Sequence, residues 1–139
     1  MKEVNSIRID PIVKRLLSYA TSEEKVEAEY KKYTCSPNRK LFSTEVNGEI
    51  VSCIGVEFHN FEKGVIKHIA VLPIKRGSGI GRSMIKFICS KYKLKSLLAE
   101  TDKDAVLFYS SLGFQITSLG EKYPGVERFL CELRTSTLT

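Results

Sequence analysis

Hydrophobic residues recur at a helical period along the first part of the chain and then change to the period of strands. Ile12, Val13, Leu16, Leu17 and Ala20 fall on one face of a helix that Asp10 caps and Pro11 opens, since proline lacks only an amide that the first turn leaves unpaired anyway. Thr21 and Glu24 have capping-box spacing, and Val26, Tyr30 and Tyr33 continue a helical stripe as far as the breaker Ser36-Pro37-Asn38. Residues 41–46 and 49–58 read as strands joined by Asn47-Gly48, the dipeptide that best accepts the positive φ angles of a two-residue hairpin turn. A strand rich in β-branched residues follows at 65–72 and ends at Pro73. Residues 75–82 then open a helix carrying Ile80, Met84, Ile88 and Tyr92 at steps of four. A short strand at 96–100 and a short helix at 102–112 come next, with Gly113 where a left-handed cap belongs. Strands at 114–119 and 126–133 close the chain around Tyr123-Pro124-Gly125. The order ααβββαβαββ mixes antiparallel hairpins with two helical crossovers. It predicts an α+β fold, a mixed central sheet with helices on both faces.

Composition narrows the class. The 139 residues fit a single domain, 1–139, without linker, repeat or low-complexity stretch, and 42% hydrophobic with 27% charged residues excludes a disordered chain. No apolar run approaches the roughly 20 residues that cross a bilayer, and the N-terminus lacks a signal-peptide stretch, so the expectation is a cytoplasmic protein with no membrane partner. Cys35, Cys53, Cys89 and Cys131 are too widely spaced for a C-x-x-C metal or redox motif and read as buried free thiols, with no metal implied. Lysine and arginine exceed acidic residues by 22 − 16 = 6, which implies affinity for anions: nucleic acid, acidic lipid or a phosphorylated small molecule.

The glycine-rich stretch following the 65–72 strand sharpens that choice. A strand that enters a helix through such a turn aims unpaired amides and the positive end of the helix dipole at one spot, which suits a phosphate. Arg76 and Arg82 flank the turn and add charge. A nucleotide-triphosphatase loop needs Gly-Lys followed by Ser or Thr, which does not occur, and a dinucleotide fingerprint starting at Gly77 needs Gly or Ala where Arg82 stands. What remains is R-x-x-G-x-G at 76–81, a seat for the pyrophosphate of some other carrier.

The strand Ile66-Lys67-His68-Ile69-Ala70-Val71-Leu72-Pro73, the turn Lys75-Arg76-Gly77-Ser78-Gly79-Ile80-Gly81 and the downstream Asp102-Lys103-Asp104-Ala105-Val106-Leu107-Phe108-Tyr109-Ser110-Ser111-Leu112-Gly113-Phe114 occur in an order that resembles the GNAT superfamily of acyl-CoA-dependent N-acyltransferases. The two motifs cover 65–115, and the elements on either side follow the family's order as well. The resemblance implies an acetyl-CoA-dependent N-acetyltransferase. It implies that the backbone around Arg76, Gly77, Ser78, Gly79, Ile80, Gly81 and Arg82 holds the pyrophosphate of coenzyme A. The pantetheine arm would lie in a V-shaped gap between the strands at 65–72 and 96–100, satisfied by the backbone of Ile69 and Val71. Asp102 stands where relatives often carry a cofactor-contacting asparagine.

Transfer from a thioester to an amine needs a proton acceptor for the amine, a donor for the oxyanion and a proton for the departing thiolate. Tyr109 matches the family's tyrosine four residues after the alanine, Ala105, and is the expected general acid. A phenol near pKa 10 can protonate a thiolate near pKa 8.5 without a large shift. A backbone amide near Val71 is the expected oxyanion donor. Where relatives place a glutamate base, this chain has Lys67 and His68; alternation lets at most one of them face the cleft, and His68 is the one that titrates near neutrality. Glu100 is the competing base or amine anchor. Tyr30, Tyr33, Tyr123 and Arg128 are candidates for the acceptor site by the family's plan, His59 is read as surface, and Lys86, Lys91, Lys93 and Lys95 as a solvated face. The acceptor is open among an aminoglycoside, a polyamine, an amino acid, a peptide N-terminus and a lysine. The rival reading, a non-catalytic basic module for nucleic acid or acidic protein on this scaffold, explains the charge alone and ranks second, because no helix interleaves arginines with aromatics.

Overall fold

A computed structural model describes residues 1–135; positions 136–139 of the expected domain lie outside the described residues. Helix α1, Pro11–Ala20, begins as expected, with Asp10 Oδ1 accepting from the Ile12 amide at 2.8 Å. The capping box does not form. The Thr21 amide closes α1 on the Leu17 carbonyl at 3.0 Å, and a 3₁₀ turn, Glu23–Lys25, precedes α2, Val26–Cys35. Cys35 is exposed, correcting the expectation of four buried thiols; Cys53, Cys89 and Cys131 are buried and free.

Seven strands follow the chain as β1 (Lys2–Glu3), β2 (Arg39–Val46), β3 (Glu49–His59), β4 (Lys63–Val71), β5 (Ser96–Asp102), β6 (Gln115–Tyr123) and β7 (Val126–Arg134). They form one sheet in the order β1-β2-β3-β4-β5-β7-β6, antiparallel except for the pair β4 and β5. Asn47 and Gly48 turn the β2–β3 hairpin with φ of 53° and 82°. Helix α3 spans Ile80–Lys91 and α4 only Val106–Ser111. The helix expected from residue 102 starts late because Asp102 Oδ1 accepts from the amides of Asp104 and Ala105, at 3.0 and 3.2 Å, which folds 103–105 into a turn.

Helices cover both faces. On one, Val13, Leu16 and Leu17 of α1 and Val26, Tyr30 and Tyr33 of α2 pack on Leu41, Cys53 and Ala70. On the other, Met84, Ile85 and Ile88 of α3 and Tyr109 of α4 pack on Phe42, Ile54, Leu97, Ala99 and Cys131. Leu41 and Phe42, adjacent in β2, enter opposite cores, as strand alternation requires. The core beneath α1 and α2 takes in residues of β2, β3 and β4 but none of β5, β7 or β6 among the described residues, so that half of the sheet has one uncovered face.

Candidate active site

The site begins with an irregularity in β4. Gly55 of β3 lies opposite His68 while Val56 lies opposite Ile66, which leaves Lys67 as an extra residue. Such a bulge changes which side chains face which side. Ile66 therefore packs in the α3 core, whereas Ala70 lies beneath α1 and Ile69 and Val71 return to the α3 side. The ladder between β4 and β5 runs only from Lys63–Ser96 to Val65–Leu98 and ends there. Beyond this fork no ladder joins the two strands.

The glycine-rich turn lies at the open end. Gly77 and Gly79 have φ of 81° and 84°, a region costly for residues with a Cβ, and a Cβ on either would project into empty space. Gly79 is the N-cap of α3 and offers no side-chain acceptor, so the first amides of that 12-residue helix are not capped by it. Gly81 is required by contact instead: a Cβ there would come within 2.8 Å of the Phe108 ring, so α3 and α4 can approach only over a glycine. Turn, fork and α4 enclose one cleft of about 590 Å³.

Of the expected cofactor-binding residues, Ile69, Val71, Arg76, Gly77, Gly79, Ile80, Gly81 and Arg82 line this cleft. Ser78 is turned away from it, its hydroxyl donating to the Lys75 carbonyl. The Asp102 side chain is likewise not in the lining, held by the turn amides before α4; Asp104 and Ala105 line the cleft in its place. Arg76 Nε donates to the Val71 carbonyl at 2.9 Å, and its guanidinium stacks 5.3 Å from the ring of Tyr19. Arg82 reaches the Ser111 carbonyl at 3.4 Å.

Tyr109 is buried at the inner part of the cleft, its ring edge-to-face with Phe108 and Phe114. Burial, with a small contribution from Cys131, holds its hydroxyl well above the usual phenol range, a departure from the small shift expected. His68 is buried too, but under α2 and outside the cleft lining. Tyr33 Oη lies 2.5 Å from His68 Nδ1, and Glu29 Oε1 lies 3.5 Å from Nε2. Burial depresses the imidazole below its ordinary value, against the pull of Glu29 in the other direction, so His68 is neutral near pH 7. Burial alone would raise Glu29, but the Lys32 ammonium at 2.6 Å outweighs it and brings the carboxyl down. Gly55 makes room for this group, since a Cβ there would sit 2.0 Å from Tyr33 Oη.

Glu100 is exposed on β5, its carboxylate bonded to Lys122 Nζ at 2.8 Å and Arg128 Nε at 3.4 Å, and Lys122 above all holds it below the usual carboxylate range. Tyr30 is buried with its hydroxyl on the Ser6 carbonyl, Tyr123 is exposed, and His59 sits half-exposed on Glu57. Tyr19, Lys75, Phe108 and Leu112 also line the cleft, the last three inside the sequence motifs but none of the four among the expected site residues. Tyr19 gave no signal because it lies off the hydrophobic stripe of α1, while Phe108 was hidden beside the motif tyrosine.

Residues 37–116 match the GNAT acetyltransferase domain. Over 101 residues the chain is 32% identical to a Bacillus methanolicus protein described as an uncharacterized N-acetyltransferase in the lysA 3′ region, covering 70% of this chain and 84% of that one. A GNAT family acetyltransferase from Elizabethkingia anophelis, solved with acetyl-CoA bound, superposes with a TM-score of 0.72 at 21% identity over 95% of each chain. An aminoglycoside 6′-N-acetyltransferase complexed with coenzyme A gives 0.77 at 15% identity over 96% of this chain and 97% of that one. The ribosomal-protein-S18-alanine N-acetyltransferase of Escherichia coli gives 0.73 at 18% over 89% and 86%. The chain belongs to the GNAT family of acetyltransferases. No helix among the described residues is long and apolar enough to cross a membrane.

Proposed function

We propose that the chain transfers the acetyl group of acetyl-CoA to a primary amine by direct attack, with Tyr109 as general acid. One observation carries this reading: a single cleft joins an uncapped helix N-terminus, an opened strand pair and a buried phenol. The cleft fits coenzyme A because its turn has empty space where any Cβ would stand and its strand β4 has no partner on the β5 side beyond the fork. Bound there, acetyl-CoA supplies a thioester whose carbonyl carbon bonds the amine nitrogen as the C–S bond breaks.

The amides at 77–82 hold the diphosphate, as anions are held at helix N-termini. Arg76 exchanges the Val71 carbonyl for that diphosphate, which frees the carbonyl for the pantetheine amide. Ile69 presents its main chain to the same arm, and an amide near Val71 faces the developing oxyanion. Asp102 acts by fixing the turn that aims α4. Tyr109, protonated throughout the neutral range, donates a hydrogen bond to the departing sulfur and passes its proton as charge builds there. His68 receives the amine proton by relay: the Tyr33 hydroxyl passes its own proton to Nδ1 and takes one in return from the amine through water, and Glu29 counters the imidazolium charge. Glu100, already ionised and a weaker base, anchors the amine.

A thiol-release assay over an amine panel tests this. Tyr109→Phe is expected to lower kcat by about 100-fold or more, the usual scale for losing a general acid, with the coenzyme dissociation constant changed less than about twofold. Equal rates would remove Tyr109 from the mechanism.

A further inference from the structure

We infer that the molecule carries a second anion site, a cavity at the far end of α3 that takes a phosphomonoester on Lys86, Lys93 and Lys95.

The cavity has a volume of about 630 Å³, against about 590 Å³ for the cleft at the fork, and the two share no lining residue. The cleft lies at the start of α3 and the cavity at its end, about 18 Å apart for a helix of 12 residues. Lys86, Lys93 and Lys95, expected as part of a solvated face, instead line this hollow. Buried Cys89 and Leu94 form its floor, and Ser90 adds a hydroxyl.

The end of α3 shapes one wall. The Leu94 amide donates to the Cys89 carbonyl at 3.1 Å and the Lys93 amide to the Ser90 carbonyl at 3.4 Å, the two bonds that close a helix on a left-handed residue. That residue is Lys93, at φ 49°, where glycine is usual. The same bonds occupy two carbonyls that would otherwise repel an anion. On the β3–β4 turn Glu62 stands at φ 57°, its carbonyl accepting from the Lys95 amide at 2.7 Å. Of the four non-glycine residues with positive φ among the described residues, two therefore wall one cavity. A side chain kept where glycine would be more stable points to a use for that side chain.

Charge identifies the ligand. The lining holds three ammonium groups and one carboxylate, Glu62, which lies 3.4 Å from Lys95; Lys86 and Lys93 have no ion pair among the described residues. The carboxylates of neighbouring elements do not offset them, since each has a cation of its own: Arg39 for Glu57, Arg134 for Glu132 and Lys40 for Glu3. Lys63 begins β4 and Lys91 lies over the rings of Phe87 and Tyr92, so both add to the surplus. The excess of two charges in the lining matches a phosphomonoester, which carries about two negative charges at neutral pH. Ammonium groups act on phosphate as point charges, and a cavity of this size leaves room for the carbon body of the ester above Cys89 and Leu94.

Calorimetric titration with phenyl phosphate tests this, with inorganic phosphate and phenol beside it, at low ionic strength and with coenzyme A present to occupy the cleft at the fork. The expected result is saturable binding of phenyl phosphate, weaker binding of inorganic phosphate and none of phenol. Lys86→Ala and Lys93→Gly should each weaken phenyl phosphate at least 10-fold. Lys93→Gly should at the same time raise the urea midpoint, because glycine relieves the left-handed position, and leave the coenzyme A titration unchanged, which separates a lost ligand group from a damaged fold. A flat titration with phenyl phosphate, or one that both variants leave unchanged, overturns the inference. Retention on DNA or on anionic vesicles without binding of the small ester also overturns it, by making the lysines a surface for polyanions. The reading of the cleft at the fork stands or falls separately, by the titration with coenzyme A alone.

Discussion

At the scale of single residues, the unusual feature is a neutral histidine buried between a tyrosine and a glutamate. Its folded pKa lies below the unfolded value of about 6.5. The unfolded chain therefore binds the proton first. Stability from this group is complete above about pH 6.5 and is lost as pH falls from there towards the folded value. Glu29 and Glu57, both lowered, act in the same sense but in the window below 4.5. Urea midpoints at pH 7.5 and 5.5 should fall with pH for the wild type and fall less for His68→Gln; identical slopes would contradict the assignment. In kinetics, the acid limb of the pH profile should have its midpoint below 6.5 and disappear in His68→Gln. Gly55→Ala probes the same cluster by geometry. A Cβ 2.0 Å from Tyr33 Oη forces ring and strand apart, and overpacking of this kind costs about 1–3 kcal/mol, measurable as a lower urea midpoint with unchanged slope. An unchanged midpoint would mean that Tyr33 is not fixed where it is described.

At the scale of elements, the proposed function depends on how α3 begins and where β4 leaves β5. Gly79→Ala places a Cβ at φ 84°, which costs on the order of 1 kcal/mol and rotates the amides of the first turn. Coenzyme affinity should fall at least 10-fold in calorimetry while the urea midpoint drops only slightly; retained affinity would mean that those amides do not hold the diphosphate. Sequence reading found α1, the β2–β3 hairpin and α3 because each is specified locally, by Asp10-Pro11, by Asn47-Gly48 and by a four-residue apolar step beyond a glycine turn. It missed β1, whose two residues, Lys2 and Glu3, carry no pattern and are a strand only because Ser43 and Phe42 pair with them. The start of α4 was set too early because the Asp102 carboxylate favours a turn over a helix, a choice invisible to periodicity. The bulge at Lys67 was hidden for a different reason. It exists only in the register between β3 and β4, and it decides that His68 faces α2. The contact of His68 with Tyr33, 35 residues away in the chain, follows from that register and not from any local signal.

At the scale of the molecule, the sheet separates two approaches to one fork. Helices α3 and α4 cover the side proposed for the coenzyme, and the opposite face is only half covered. Of the basic residues, Lys75, Arg76 and Arg82 line the cleft. Calorimetric titration of the wild-type chain with coenzyme A tests the central claim most directly. The account predicts saturable binding of one molecule per chain, with affinity falling as salt rises because the diphosphate is held by charge and amides. A flat titration, or binding that Gly79→Ala leaves untouched, would contradict it.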